Sequence, residues 1–446
     1  MSKPSPLRAT PRLFGTVVAP LQAFFRLEAA SGIVLLACAL AALLWANLAG
    51  ESYRALFERS ITLGVPAPFL RFTVLELVND GLMTVFFFVV GMEIKRELVM
   101  GELRTPRQAV LPLVGAFGGM LVPAAFFLAF NAGGPGRAGW GIPMATDIAF
   151  CIGVLTLLRR RVPRALVVFL TALAIFDDIG GILVIALFYG HGVSAPWLAA
   201  AAAIAGALVA MSRAQVRGAA AYLGAGAALW YALHHGGIHP TIAGVVLGLA
   251  IPARSRQRPR DVLEALASHV DALVRSRSDE ELEGEALLGI EEKIEDLEPT
   301  LNRFVHALHP WVAFGIMPLF ALANAGVAVV GLDRSQWLGP VALGIAAGLV
   351  VGKAVGIFIF TLAAVKLGLA RIPGEASIPK LLGVSMVGGI GFTVALFIAG
   401  LAFPGSPGLL DQAKLAILVG SLSAGAAGAL VLRGTAPLPT PAHPRP

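Results

Sequence analysis

An all-α integral membrane protein with twelve transmembrane helices is the fold class this chain predicts, from its composition, its recurring apolar runs and the placing of its basic residues. Of its 446 residues, 57% are hydrophobic and 14% charged, against about a quarter charged in an ordinary soluble domain. The mean hydropathy is +0.80. A hydrocarbon core about 30 Å thick takes about 20 helical residues to cross, and runs of that order recur along nearly the whole chain. They fall near 27–48, 74–94, 109–130, 141–158, 165–189, 195–211, 219–234, 237–251, 309–330, 338–365, 379–403 and 411–432. The pair 219–234 and 237–251 is short for the purpose.

Basic residues of short loops gather on the cytoplasmic side of a membrane protein, which tests the count independently. With both termini inside, the inner segments hold Lys3, Arg8, Arg12 and Arg26; Lys95, Arg96, Arg104 and Arg107; Arg159, Arg160, Arg161 and Arg164; Arg213 and Arg217; Lys366, Arg371 and Lys380; and Arg433 and Arg445. The 253–308 loop adds eight more, from Arg254 to Arg303. Only Arg54, Arg59, Arg71, Arg137, Arg334 and Lys414 fall outside. Basicity therefore reports orientation, and the isoelectric point near 9.8 is no argument for nucleic-acid binding.

The organisation follows in order. Residues 1–25 form a cytoplasmic tail, and 26–252 carry spans one to eight. The first span follows a basic stretch but is longer than a cleavable signal core, so it reads as an uncleaved anchor. Cys38 and Cys151 lie within spans and fit core-filling thiols rather than a disulfide. Residues 253–308 are polar, opening with RSRQRPR and passing through DEELEGE and EEKIEDLE. Apolar positions 287, 288, 290, 294 and 297 suit a short amphipathic surface helix. The plain reading of this loop is a solvated linker; a regulatory or partner-binding role is the alternative. Spans nine to twelve occupy 309–432, and a cytoplasmic tail closes the chain at 433–446.

The membrane should reject four charges. Insertion scales give about 2.5 to 3.5 kcal/mol for an Asp or Lys at a helix centre. Asp177 lies 13 positions after Arg164 and 14 before His191, about 20 Å from either marker at about 1.5 Å per residue. Its neighbour Asp178 is equally deep, as is Lys353, midway between Pro340 and Lys366. Asp147 sits in the span-four text GIPMATDIAF, next to Thr146. A buried ion-pair network that only fixes helix packing needs no spare charge, yet three aspartates meet one lysine here. Two carboxylates remain, which a mobile cation or protons must balance. Asp80, Glu93 and Glu97 lie nearer the ends of span two, where helix-end salt bridges are the plain reading and an ion entrance the other.

Two spans are locally broken. The fourth carries Gly141, Pro143 and the polar Thr146–Asp147 pair; the eleventh reads VGGIGFTVALFI, with Gly388, Gly389 and Gly391. Such glycines can serve close helix packing alone. Unwound helices at matching places in two halves point instead to a midplane ion site. Spans three to five and ten to twelve would then be inverted repeats of one another.

The segments NDGLMTVFFFVVGMEIKREL, PMATDIAF, FDDIGGILVIALFYG, HPTIAGVVLG, HPWVAFGIMPLFALANAGV, GKAVGIF and GGIGFTVALFIAG resemble those of the NhaA family of bacterial sodium/proton antiporters, over about 26–252 and 300–432. That resemblance implies a twelve-span inverted-repeat antiporter fold with crossed, interrupted helices four and eleven. It implies Na+ (with Li+) and H+ as transported ions without a cofactor, in a multi-pass protein of the bacterial inner membrane. Carried over by position, Asp178 resembles the main cation ligand, and Asp177 the aspartate that pairs with the tenth-span lysine, Lys353; both count as Na+ ligands. Thr146 and Asp147 fall on the broken fourth span. Asp80, Glu93, Glu97, His306 and His309 fall on the ion entrance and pH response. A homodimer joined by a β-hairpin is implied, and SITLGVPAPFLRFTV at 60–74 supplies one. One departure concerns pH: Val305 precedes His306 where an acidic residue is common.

Neighbouring helical residues project about 100° apart, so Asp177 and Asp178 face different points, one toward water and one toward Lys353. Hard oxygen ligands suit a small alkali cation. The aspartates and the lysine are expected to titrate as one coupled unit that holds protons or sodium but not both, and the resemblance together with the carboxylate pair implies two protons discharged per sodium. Three other classes fit the sequence less well. A sodium-coupled organic solute symporter wants a polar or aromatic pocket, and the chain has four tyrosines. An intramembrane aspartyl protease needs an aspartate where GGIGFT has none. A metal transporter built on HHGGIHP fails because His234, His235 and His239 sit at a span end. No HExxH, Walker or dinucleotide motif occurs, so no enzyme activity is expected.

Overall fold

The computed structural model describes residues 13–63, 70–190, 192–216, 218–253, 264, 266–268, 299–329, 337–374 and 376–438. Lipid offers no partner for a backbone N–H or C=O, so an apolar chain satisfies these groups within helices. The helices are α1 (Leu13–Leu48), α2 (Gly50–Phe57), α3 (Val74–Val99), α4 (Pro106–Phe130), a 3-10 helix (Pro135–Met144), α5 (Ile148–Leu157), α6 (Arg164–Phe188), α7 (Ala195–Arg213), α8 (Ala219–Gly236), α9 (Ile242–Ala250), α10 (Thr300–Asn324), α11 (Pro340–Lys366), α12 (Ile378–Val387), α13 (Phe392–Ala402) and α14 (Pro407–Arg433). Among the described residues eight helices are long and apolar enough to cross a membrane, or ten if each of two bent pairs is one span. The bent pairs are the 3-10 helix with α5 and α12 with α13, each turning by 45°. Each of the twelve expected runs holds a helix, but α8 and α9 do not pass as spans alone. Helix α9 has 9 residues. It is completed by packing: the Lys95 ammonium of α3 donates to the Leu249 and Ile251 carbonyls at 2.8 and 2.5 Å, closing the C-terminal end of α9.

Between α2 and α3 the chain forms the expected hairpin, β1 (Ser60–Leu63) against β2 (Leu70–Thr73), antiparallel with Ser60 opposite Thr73. Thr73 then starts α3 through a capping box. Its hydroxyl accepts from the Glu76 N–H at 3.1 Å, and the Glu76 carboxylate accepts from the Thr73 N–H at 2.7 Å.

Helix α10 begins at Thr300 rather than near 309, because His-Pro at 309–310 does not stop it. Pro310 lies inside the helix, and the chain takes a π-helical turn over Val312–Ile316, the local adjustment that absorbs a missing N–H in membrane helices. Similar turns occur at Leu77–Leu82 in α3 and Gly348–Gly352 in α11. Most of the 254–299 insert, including the amphipathic helix expected around 287–297, lies outside the described residues.

Helix α6 is lined with buried residues from Leu166 to Ile185. Helices α4 and α11 approach closely because Gly118 and Gly356 face each other. A Cβ on Gly356 would stand 2.7 Å from the Gly118 carbonyl carbon and 3.0 Å from Val122 Cβ. That approach brings the middle of α11, with Lys353, against Asp177 of α6 and Met144 at the bend of span four.

Candidate ion-binding site

The two bends meet. Residues 145–147 leave the 3-10 helix in extended conformation, and 388–391 separate α12 from α13. The Asp147 N–H donates to the Ile390 carbonyl at 2.6 Å. Cys151 Sγ lies 3.1 Å from the Val387 carbonyl, and Thr146 Oγ1 lies 3.1 Å from that of Gly388. The break of span four thus supplies donors to carbonyls that the break of span eleven leaves open, as backbone deep in a membrane requires.

Four helix ends point into this crossing, and charged side chains compensate three of them. Asp147 is the N-cap of α5, where its Oδ1 accepts from the Phe150 N–H at 3.2 Å. Its Oδ2 accepts from the N–H of Thr393 at 3.2 Å and from the Thr393 hydroxyl at 2.5 Å. One carboxylate thereby faces the positive ends of both α5 and α13. The negative end of the 3-10 helix meets a cation, since the Lys353 ammonium donates to the Met144 carbonyl.

Lys353 is fully buried and pairs with Asp177, its Nζ 2.7 Å from Asp177 Oδ2. The same oxygen accepts from the Thr146 hydroxyl at 2.7 Å. Asp177 Oδ1 is buried without a hydrogen-bond partner. Asp178 turns elsewhere. Its carboxylate lines a cavity of ≈ 100 Å³ with Glu93, Thr146, Asp147, His309 and Thr393, and Asp177 and Lys353 are not in that lining. Among the described residues Asp178 has no hydrogen-bond or ion-pair partner, although it is 9% exposed. The charges left over in the sequence are thus resolved individually. Asp177 has Lys353, Asp147 has two helix ends, and Asp178 has the cavity. Among the described residues no three His, Cys, Asp or Glu side chains gather as a metal cluster, so a cation here would be held by carboxylate, hydroxyl and carbonyl oxygens.

The remaining expected residues divide into two places. Glu93 lines the cavity with His309, whose Nδ1 is 3.6 Å from Glu93 Oε1. Glu97 lies one turn further along α3, and His306 is exposed one turn before His309 on α10. Asp80 is not in this group. It sits in the π-helical turn of α3, its Oδ1 3.4 Å from His239 Nε2, and lines a separate cavity of ≈ 440 Å³ with Trp230 and His234. Sequence reasoning missed Thr393 and Ser421. Thr393 stands inside the quoted GGIGFTVALFIAG, where a hydroxyl just after a break was a usable signal. Ser421, within SLSAG, carries none until the fold places it beside Gly391.

Comparison with known proteins gives one consistent result. The profile of the family described as Na+/H+ antiporter 1 matches residues 22–432. The chain is 64% identical over 437 residues to the Na(+)/H(+) antiporter NhaA of Anaeromyxobacter sp. (strain Fw109-5), covering 97% of this chain and 95% of that one. It is 57% identical over 442 residues to Na(+)/H(+) antiporter NhaA 1 of Myxococcus xanthus, covering 99% and 98%. Against the Na(+)/H(+) antiporter NhaA of Syntrophobacter fumaroxidans it is 43% identical over 446 residues, covering 97% and 94%.

Proposed function

The chain belongs to the Na+/H+ antiporter 1 family, and from that membership and the site's geometry we infer that it is a Na+/H+ antiporter whose exchange runs through Asp178. The observation that carries the assignment of the site is the carboxylate without a partner, facing a cavity beside the crossing of two broken helices. A bare buried carboxylate is costly, and a proton or a sodium ion removes that cost equally well. Occupancy by one excludes the other. If the empty, charged site crosses poorly between its two accessible states, exchange is the only productive cycle.

Each neighbour has a role in this reading. Asp147 and Lys353 hold the helix ends in place without drawing on Asp178, and Thr146 orients the Asp177 carboxylate. Asp177 exchanges its lysine partner for protons or sodium as the cycle proceeds, so two protons move against each Na+, or Li+, and transport is electrogenic. Glu93 and His309 line the route by which the ion reaches Asp178, with Glu97 and His306 beyond them at the cytoplasmic mouth and setting the pH response. Asp80 belongs to the opposite, outer side. The twelve helical runs act as twelve spans in inverted repeats with helices four and eleven crossed, both termini cytoplasmic, in a bacterial inner membrane. The 60–74 hairpin joins two copies.

Symport of an organic solute is the weaker reading, because pockets for such solutes run to about 300–1,000 Å³ and the cavity at Asp178 holds ≈ 100 Å³. Purified protein in liposomes with an imposed pH gradient tests the choice. Added Na+ or Li+ should collapse the gradient with no solute present, K+ should not, and the rate should respond to membrane potential. A requirement for an added solute would decide for symport, and a rate indifferent to potential would refute the two-proton exchange.

A further inference from the structure

Helix α13 starts on glycine. Gly391 is its N-cap and has no side chain with which to accept from the first N–H groups, which an N-terminus ordinarily requires. The acceptor comes from another helix. Ser421 of α14 is 5% exposed, and its Oγ accepts from the Gly391 N–H and from the Phe392 N–H, both at 3.2 Å. The next N–H, that of Thr393, goes to Asp147 Oδ2. The first turn of α13 is therefore gripped from two sides, by a hydroxyl behind it and a carboxylate in front.

Serines in membrane helices commonly turn back on their own helix, as Ser385 does toward the Leu381 carbonyl at 2.9 Å. Ser421 instead accepts from a neighbouring helix at its break. Gly420 and Gly425 flank it on α14, with Leu349 Cδ1 3.2 Å from a Cβ on the first and Ile390 Cδ1 3.1 Å from a Cβ on the second. These glycines let α14 pack closely against Leu349 and Ile390, which brings the Ser421 hydroxyl to the break.

We propose that Ser421 is a positioning residue for cation binding: it fixes the start of α13 so that both the N–H and the hydroxyl of Thr393 hold Asp147, keeping that carboxylate from the ion at Asp178. Without the hydroxyl at 421, the N–H groups of Gly391 and Phe392 lose their acceptor. They then compete with Thr393 for the acceptor that the first turn of α13 already uses, the Asp147 carboxylate. The first turn of α13 shifts, and the field at the cavity changes with it. The maximal rate depends on helix movements that Ser421 does not drive. The effect belongs to sodium affinity and its pH profile.

This inference rests on the antiport reading, and the experiment separates the two. In liposomes, Ser421→Ala should raise the Na+ concentration for half-maximal exchange about fivefold, the factor that the loss of about 1 kcal/mol gives. Its maximal rate should stay within about twofold, and its pH profile should move. Ser421→Thr, which keeps the oxygen, should restore the parental half-saturation. Ser421→Cys, with a weaker acceptor, should fall between and serves if the alanine protein is not recovered. Parental half-saturation in the Ala or Cys protein overturns the proposal, as does a Thr protein no better than the Ala protein. No exchange by the unaltered protein overturns the antiport reading instead.

Discussion

The Lys353 ammonium is shared between Asp177 and the Met144 carbonyl, both buried. Removing one partner of a buried charge pair costs about 3–5 kcal/mol, because the other is left uncompensated, whereas replacing both is often nearly neutral. Lys353→Gln should therefore lower the unfolding midpoint of the detergent-solubilised protein. Lys353→Gln combined with Asp177→Asn should regain most of the loss. A double variant as unstable as the single one would mean that the pair is not what holds this region. That one of the two adjacent aspartates pairs with Lys353 was legible from charge, while the choice of Asp177 came from the family resemblance and agrees with the ion pair. That Asp147 caps two helices was legible only in part. A carboxylate and an ammonium among broken spans are expected to face positive and negative helix ends, but nothing in the local text tells that Thr393, far along the chain, supplies two of the donors to Asp147.

At the level of the element, the breaks decide where the chemistry can be. Each exposes helix ends in a medium without water, and the crossing lets one break serve the other through Asp147, Thr146 and Cys151. Glycine is required where the strands of backbone touch. A Cβ on Gly389 would press on the Leu349 carbonyl oxygen and stand 3.0 Å from both Ala424 Cβ and the Met386 carbonyl oxygen. Overpacking of this kind costs about 1–3 kcal/mol. Gly389→Ala should accordingly lower the unfolding midpoint, whereas Gly400→Ala, with nothing within 4 Å, should not. Equal behaviour of the two would argue against close contact at the break. Both breaks were readable from Gly, Pro and Thr-Asp in otherwise apolar runs. The π-helical turns in α3, α10 and α11 were not, since a π turn is set by packing and leaves no fixed residue signature. The run expected at 237–251 ends with α9 but holds helix only from Ile242, because the chain turns through 237–241 before it.

Taken as a molecule, the chain places one unpartnered carboxylate where a narrow cavity meets two crossing breaks, and surrounds it with charges already matched to helix ends. The family membership gives the transported ions, and the small cavity agrees with cargo of that size. The expected helix count and orientation rest on hydropathy and the distribution of Lys and Arg, and among the described residues eight to ten helices are long and apolar enough to cross a membrane. The 254–299 insert carries basic residues on the expected inner side but no apolar run, and its polar text fixes no partner. The central claim is that Asp178 holds sodium and protons by turns. Asp178→Asn removes the ionisable oxygen while keeping size, so purified parent and variant can be compared in liposomes across a pH series, reading proton movement on addition of Na+. The parent should show sodium-driven proton movement and the variant none at any pH. Parental exchange in the variant would place the ion elsewhere and contradict the account.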